Sequence, residues 1–182
     1  MTELASKKEK VLQKLTDLKK SRVMIVGDIG LDEYVNGNVK RISPEAPVPV
    51  LDVAKEEVRL GLAANVAQNI SSLGGTPVLI SLIGQDKTGS ELRALLEDAK
   101  VDSDFLVVDS ERPTTRKLRV MSGHHHIVRV DYEKKKFLST DVEEKLLAMA
   151  KEQMDKVDIV VLQDYAKGVL SKSLCQSVIA LA

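Results

Sequence analysis

The chain has 182 residues, 43% of them hydrophobic and 30% charged, with 27 basic against 27 acidic side chains and a formal net charge of zero. This composition excludes a disordered or fibrous chain. The charge balance gives no broad basic field for a nucleic-acid backbone or an anionic membrane surface. The single cysteine, Cys175, excludes an internal disulfide framework and fits a reducing compartment. No apolar run approaches the roughly 20 residues of a membrane span, and the Lys-rich first twenty residues lack the apolar stretch of a signal peptide, so a cytoplasmic protein is expected.

In residues 1–20, Leu4, Val11, Leu12, Leu15 and Leu18 recur at helical spacing among lysines and acids, which predicts an amphipathic helix packed on the body or on a partner. The run Val23-Met24-Ile25-Val26 then ends in Gly27-Asp28, as a buried strand of a parallel sheet does. The same texture returns at residues 78–83, 105–108 and 157–162. Helical stretches at 62–73, 90–99, 142–154 and 171–182 alternate with these strands, so a doubly wound α/β sheet is expected. Residues 34–58 and 116–132 alternate without fitting that rhythm. They read as a small β flap over the carboxyl edge of the sheet, where ligands bind in open α/β folds.

Four segments carry candidate chemistry. Asp28 and Asp32 follow the first strand, where carboxylates accept hydrogen bonds from sugar hydroxyls, although solvated turn acids explain them about as well. Gly61-Leu62-Ala63-Ala64-Asn65 opens a helix with small residues that let a ligand approach free N–H groups; close helix–sheet packing explains the same pattern. Lys117 and Arg119 share one face of a strand and can converge on an anion, or simply form a solvated face. Asp164 and Lys167, in Asp164-Tyr165-Ala166-Lys167-Gly168, follow the last strand at the same sheet edge. The triplet His124-His125-His126 is not expected to hold a metal, because neighbours in a strand alternate faces. Cys175 reads as a small core residue, and Lys134-Lys135-Lys136 as a solvated loop.

Together these stretches resemble the ribokinase-like (PfkB) sugar kinases, most closely their heptose-7-phosphate kinase branch. The carrying residues are Gly27-Asp28 with Leu31-Asp32, the block Arg41-Ile42-Ser43-Pro44-Glu45-Ala46-Pro47-Val48-Pro49-Val50, and Ala63-Ala64-Asn65. Gly74, Gly84, Pro113-Thr114-Thr115, Lys117, Arg119, Arg129, Asp131 and the 164–168 segment complete the set. The resemblance implies a ribokinase-like doubly wound sheet in residues 21–182 with a small β lid. It also implies transfer of the ATP γ-phosphate, with Mg²⁺, to D-glycero-β-D-manno-heptose 7-phosphate; the alternatives are another PfkB-type sugar or nucleoside kinase, or a non-catalytic sugar-phosphate-binding or interaction remnant. By position, Asp32 and Asn65 hold sugar hydroxyls and Gly61 lines the sugar. Lys117 and Arg119 meet the phosphate already present, while Asp164 and Lys167 lie near phosphoryl transfer. The resemblance further implies a homodimer through the lid, or a complementing C-terminal half. The Gly-rich segment and catalytic base are expected beyond Ala182, so this chain is expected to be the N-terminal part of such a kinase and inactive alone. Leu62 stands where the family has glycine, which implies strain or an obstructed site if that position needs positive φ. Glu33 is expected to bring a negative charge beside the pocket.

Overall fold

The computed structural model describes residues 2–18 and 21–182. Helix α1 (Thr2–Leu18) leads into strand β1 (Arg22–Gly27), then β2 (Ile29–Ile42) and β3 (Pro49–Gly61). Helix α2 (Leu62–Ser72), β4 (Thr76–Gly84), α3 (Lys87–Asp98) and β5 (Leu106–Asp109) follow. The hairpin β6 (Thr115–Ser122) and β7 (His125–Tyr132) precedes α4 (Thr140–Met154), β8 (Ile159–Gln163) and α5 (Lys172–Leu181).

Strands β5-β4-β1-β8 form a parallel sheet in that order. Their near-continuous apolar sequences follow from burial on both faces. Val23 and Ile25 of β1, with Leu79 of β4, pack on Ala63, Ala64 and Ala67 of α2 and on Leu92 and Leu96 of α3. Met24 and Val26, with Val78 and Ile80, face Leu146 and Ala150 of α4 and Leu174 and Val178 of α5. Cys175 packs partly buried against this second cluster.

Two excursions from this body build a second sheet, ordered β3-β2-β6-β7. The β2–β3 hairpin is inserted between β1 and α2, and the β6–β7 hairpin between β5 and α4. Their inner strands β2 and β6 pair in parallel, so one lid is assembled from two distant insertions. The lid begins earlier than the alternation alone suggests. β2 starts at Ile29, one residue after β1, so Asp32 lies in a lid strand rather than in a loop after the body strand.

The amphipathic helix forms, but Val11 and Leu12 are each more than half exposed, so these two do not pack on the body. The side chains of Leu4, Leu15 and Leu18 lie outside the described residues. Lys134, Lys135 and Lys136 are exposed in the loop after β7, as expected, with Lys134 Nζ donating to the Glu111 carbonyl at 2.6 Å and Lys135 pairing with Glu133 at 3.3 Å.

One polar knot holds the start of α3 to the strand that enters the lid. Asp86 caps α3, accepting from the Gly89 N–H at 2.7 Å and from the N–H and hydroxyl of Thr114 at 2.8 and 2.7 Å. The Thr114 hydroxyl oxygen in turn accepts from the Gly84 N–H at 2.9 Å. Burial pushes the Asp86 carboxyl up, but these hydrogen bonds outweigh it and hold it below 3.8. A depressed carboxyl stabilises the fold above its unfolded value and loses that contribution as pH falls through its folded value. Asp86→Ala is therefore expected to cost about 1–2 kcal/mol at pH 7. In urea titrations the gap to wild type should narrow only as pH drops below about 4; a gap constant down to pH 2.5 contradicts this role.

Candidate functional site

The site lies where the lid meets the carboxyl edge of the parallel sheet. Alternation puts Asp32, Lys117 and Asp131 on one lid face, because Asp32 is in register with Lys117 and Lys117 with Asp131. Tyr34, Arg119 and Arg129 occupy the next row of the same face. Leu31, Leu118 and Val130 point the other way, as does Glu33.

Asp32 Oδ1 accepts from Arg119 Nη1 at 2.6 Å, both side chains being about four-fifths buried. Gly61, the N-cap of α2, lies directly beneath: a Cβ there would come within 2.7 Å of Asp32 Oδ2. Its backbone is extended, at φ −119°, so glycine is not needed for its conformation, and a side chain there would displace the Asp32 carboxylate. The neighbouring residue is the reverse case. Leu62 sits at φ 57°, in the left-handed region, with its side chain buried, which costs about 1–2 kcal/mol for a non-glycine residue. The strain expected of leucine at this position is present.

The lid's cations are not equivalent. Arg119 is neutralised by Asp32, and Arg129 by Asp131 at 2.9 Å. Arg59, stacked on the Tyr34 ring opposite Arg119, is bound to Glu57; hydrogen bonds from Arg59 and then Lys55 pull that carboxyl down to about 2. Among the described residues Lys117 has no carboxylate at ion-pair distance, and its ammonium stands 5.9 Å from the centre of the Tyr165 ring. Lys117 and Arg119 share a face as expected, but in this state they reach different partners.

Asp28 is not a ligand-facing acid. It is 1% exposed, and its carboxylate is saturated by the loop after β8. Oδ2 accepts from the N–H groups of Tyr165 at 2.8 Å and Lys167 at 3.1 Å, and Oδ1 from Val169 at 3.1 Å. Alternate amides turn inward because Ala166 and Gly168 take positive φ, at 56° and 96°. Asp164 Oδ1 accepts from the Ala166 N–H at 2.7 Å and closes the loop, while the side chain stays at the surface. The Asp28 carbonyl also takes the Ala63 N–H at 2.9 Å, so this donor at the start of α2 is not free for a ligand.

Lys167 Nζ lies 2.7 Å from Glu133 Oε2, and both side chains are nearly nine-tenths buried. Burial alone would raise the Glu133 carboxyl; hydrogen bonds from Lys167 and Lys135 overcome it and leave it below its ordinary range. Lys167 also lines a cavity of about 10 Å³ with Asp28, Arg112, Thr114 and Lys134, room for about one water. Asn65 is exposed on α2. It lines a separate groove of about 390 Å³ with Arg59, Leu60, Gln68 and Asp98. Arg59 connects that groove to the Asp32 face through Tyr34.

Glu33 corrects the sequence expectation. It faces away from Asp32 and pairs with Arg116 at 3.4 Å, so its charge does not enter the site. Glu133, Tyr34 and Asp86 carried no assignment from sequence. Only Asp86 had a local signal, an acid three residues before Gly89 at a helix start.

The pfkB family carbohydrate kinase model matches residues 20–182. The chain belongs to the pfkB family of carbohydrate kinases. It is 48% identical over 161 residues to the bifunctional protein HldE of Bradyrhizobium sp. (strain ORS 278), covering 86% of this chain and 32% of that one. It is 44% identical over 171 residues to HldE of Rhodopseudomonas palustris (strain HaA2), covering 92% and 35%. The chain thus spans about a third of the length of these curated relatives. Among solved structures, a putative phosphofructokinase from Staphylococcus aureus superposes with TM-score 0.67 at 12% identity, over 88% of this chain and 49% of that one. The tetrameric inhibited form of phosphofructokinase-2 from Escherichia coli gives 0.61 at 21%, over 90% and 51%. The fold of the body is shared with these solved structures.

The buried Asp28 clamp gives a direct test. Asp28→Ala strands three amide donors and is expected to cost more than about 3 kcal/mol. Asp28→Asn keeps only part of the acceptor capacity and should fall between. Hydrogen exchange should show amides 165, 167 and 169 losing protection first; unchanged protection contradicts the clamp.

Proposed function

We propose that these residues form the acceptor-sugar side of a heptose 7-phosphate kinase, the reaction being ATP-dependent phosphorylation at the anomeric oxygen to the 1,7-bisphosphate. Such a reaction belongs to the cytoplasmic synthesis of the nucleotide-activated heptose used for lipopolysaccharide. The observation that carries this reading is the lid face itself. It sets the Asp32–Arg119 pair over Gly61 and, among the described residues, leaves Lys117 without a carboxylate at ion-pair distance, at the sheet edge where open α/β folds bind ligands. Asp32 has Oδ2 to offer a sugar hydroxyl, whereas Asn65, which can both donate and accept, lines the separate groove beside α2. Lys117 meets the existing phosphate, joined by Arg119 when ligand competes for Asp32. The identity to HldE proteins favours the heptose over other sugars.

Phosphoryl transfer requires positioning, charge neutralisation and a base for the attacking hydroxyl. ATP supplies the phosphoryl group, and Mg²⁺ neutralises its phosphates when bound. Such an ion is held by one or two carboxylates together with the nucleotide. Among the described residues no group of three His, Cys, Asp or Glu side chains converges on a cation site. We propose that Asp164 and Lys167, in the loop after β8, lie near the transfer region, with Lys167 held against Glu133. The base belongs to the remainder of a kinase domain, and we propose that the 182 residues alone turn over no ATP.

Calorimetry of the chain with D-glycero-β-D-manno-heptose 7-phosphate, fructose 6-phosphate and adenosine tests the substrate. The heptose phosphate is expected to bind most tightly, and Lys117→Ala to weaken it at least tenfold. Tighter binding of another sugar or a nucleoside identifies a different pfkB-type kinase. Formation of ADP by the purified 182-residue chain with heptose 7-phosphate overturns the assignment of the base elsewhere.

The lid face opposite Asp32 supports a homodimer. Val53, Val128, Val130 and Tyr132 are between 36% and 54% exposed there, an apolar surface on a sheet with open edges. Sedimentation equilibrium at micromolar concentration is expected to give a dimer, and Val128→Lys with Val130→Lys a monomer. A wild-type monomer excludes pairing through the lid.

A further inference from the structure

Tyr165 is tied to the body by its backbone and to the lid by its side chain. Its N–H is given to the buried Asp28 carboxylate at 2.8 Å, and the next amide but one, Lys167, goes to the same oxygen. The intervening Ala166 is held at φ 56°. The main chain around Tyr165 is therefore fixed by a buried carboxylate. The ring is left 40% exposed, on the side of the lid's polar face, with the Lys117 ammonium 5.9 Å from its centre.

Neighbouring charges make this position distinct. Asp32 and Asp131, the residues in register with Lys117 on either side, are each engaged by an arginine. Lys117 is thus left, among the described residues, without a carboxylate partner, and the surface beside an anion that it meets is the Tyr165 ring. A rigid, amphipathic aromatic next to an uncompensated cation suits a ligand with an anionic end and a partly apolar body. A phosphorylated sugar has both, because its ring carbons present C–H faces between hydroxyls.

We propose that Tyr165 contacts the substrate and sets its specificity: its ring is the wall against which the sugar of a sugar phosphate packs while Lys117 holds the phosphate. This rests on the sugar-phosphate reading above and adds the residue that separates a sugar phosphate from phosphate alone. The ring contributes nothing to the Asp28 clamp, since that hydrogen bond uses the backbone N–H. Replacing the side chain therefore leaves the loop anchored.

The test is calorimetry of the wild-type chain, Tyr165→Ala, Tyr165→Phe and Lys117→Ala. The probes are heptose 7-phosphate and inorganic phosphate, with circular dichroism and thermal unfolding as checks of the fold. Tyr165→Ala is expected to weaken heptose 7-phosphate binding about five- to tenfold. Tyr165→Phe should stay within about twofold of wild type. Inorganic phosphate should bind wild type and both Tyr165 variants equally, and Lys117→Ala should lose both probes. Wild-type affinity for the sugar phosphate in Tyr165→Ala overturns the proposal while leaving the substrate reading intact. An equal loss for both probes overturns it as well, because the ring then acts on the phosphate site alone. If the wild-type chain binds inorganic phosphate but gains nothing from the sugar, the substrate reading and this proposal fall together.

Discussion

The buried carboxylate of Asp28 is the constraint on which the ligand-facing edge depends. It stands between the first body strand and the first lid strand, and it gathers three amides from a loop more than 130 residues away. A carboxylate at 1% exposure is tolerable only when it is hydrogen-bonded, and the loop supplies three donors by alternating inward and outward peptide groups. That alternation leaves Tyr165 and Lys167 on the turn around Asp28. Tyr165 reaches Lys117 of β6 and Lys167 reaches Glu133 just after β7, so one anchored loop touches the lid at two places.

The site is consequently poised between stored and available charge. Arg119, Arg129, Arg59 and Lys167 each carry a carboxylate partner, and among the described residues Lys117 has none at ion-pair distance. An anion arriving at this face would reach Arg119 or Lys167 only by competing with Asp32 or Glu133. Pairs of this kind, partly shielded from water, hold geometry more than they add stability. Their value here is to keep long, flexible side chains aimed at the junction of lid and body.

The body was legible because its signals are local. Runs such as Val23 to Val26 must be buried on both faces, and the helices between them follow from period 3.6. The pairing of Lys117 with Arg119 on one face followed from strand alternation alone. The partners were not legible. Asp28 looked like a ligand-facing acid because its three amides are supplied from across the sequence. Glu33 looked like a pocket residue because its face depends on β2 beginning at Ile29, and a continuous lid strand turns it toward Arg116. Glu133 had no signal beyond a charge beside a lysine run, since its burial comes from a loop far along the chain. Leu62 was legible in part: its substitution for glycine announced strain, and the positive φ is what the strain consists of.

The parallel pairing of β2 with β6 has a consequence of its own. Parallel neighbours cannot be joined by a tight turn, and here the connection is residues 43–114, which contain β3, α2, β4, α3 and β5. The opposition of Asp32 and Lys117 is thus fixed only after much of the body has taken its place between them. The lid has no route to its register as an autonomous hairpin, and packing errors under β4 or β5 are transmitted to the spacing of groups that never touch them. In this molecule a core substitution remote from the lid is also a substitution in the spacing of Asp32 and Lys117.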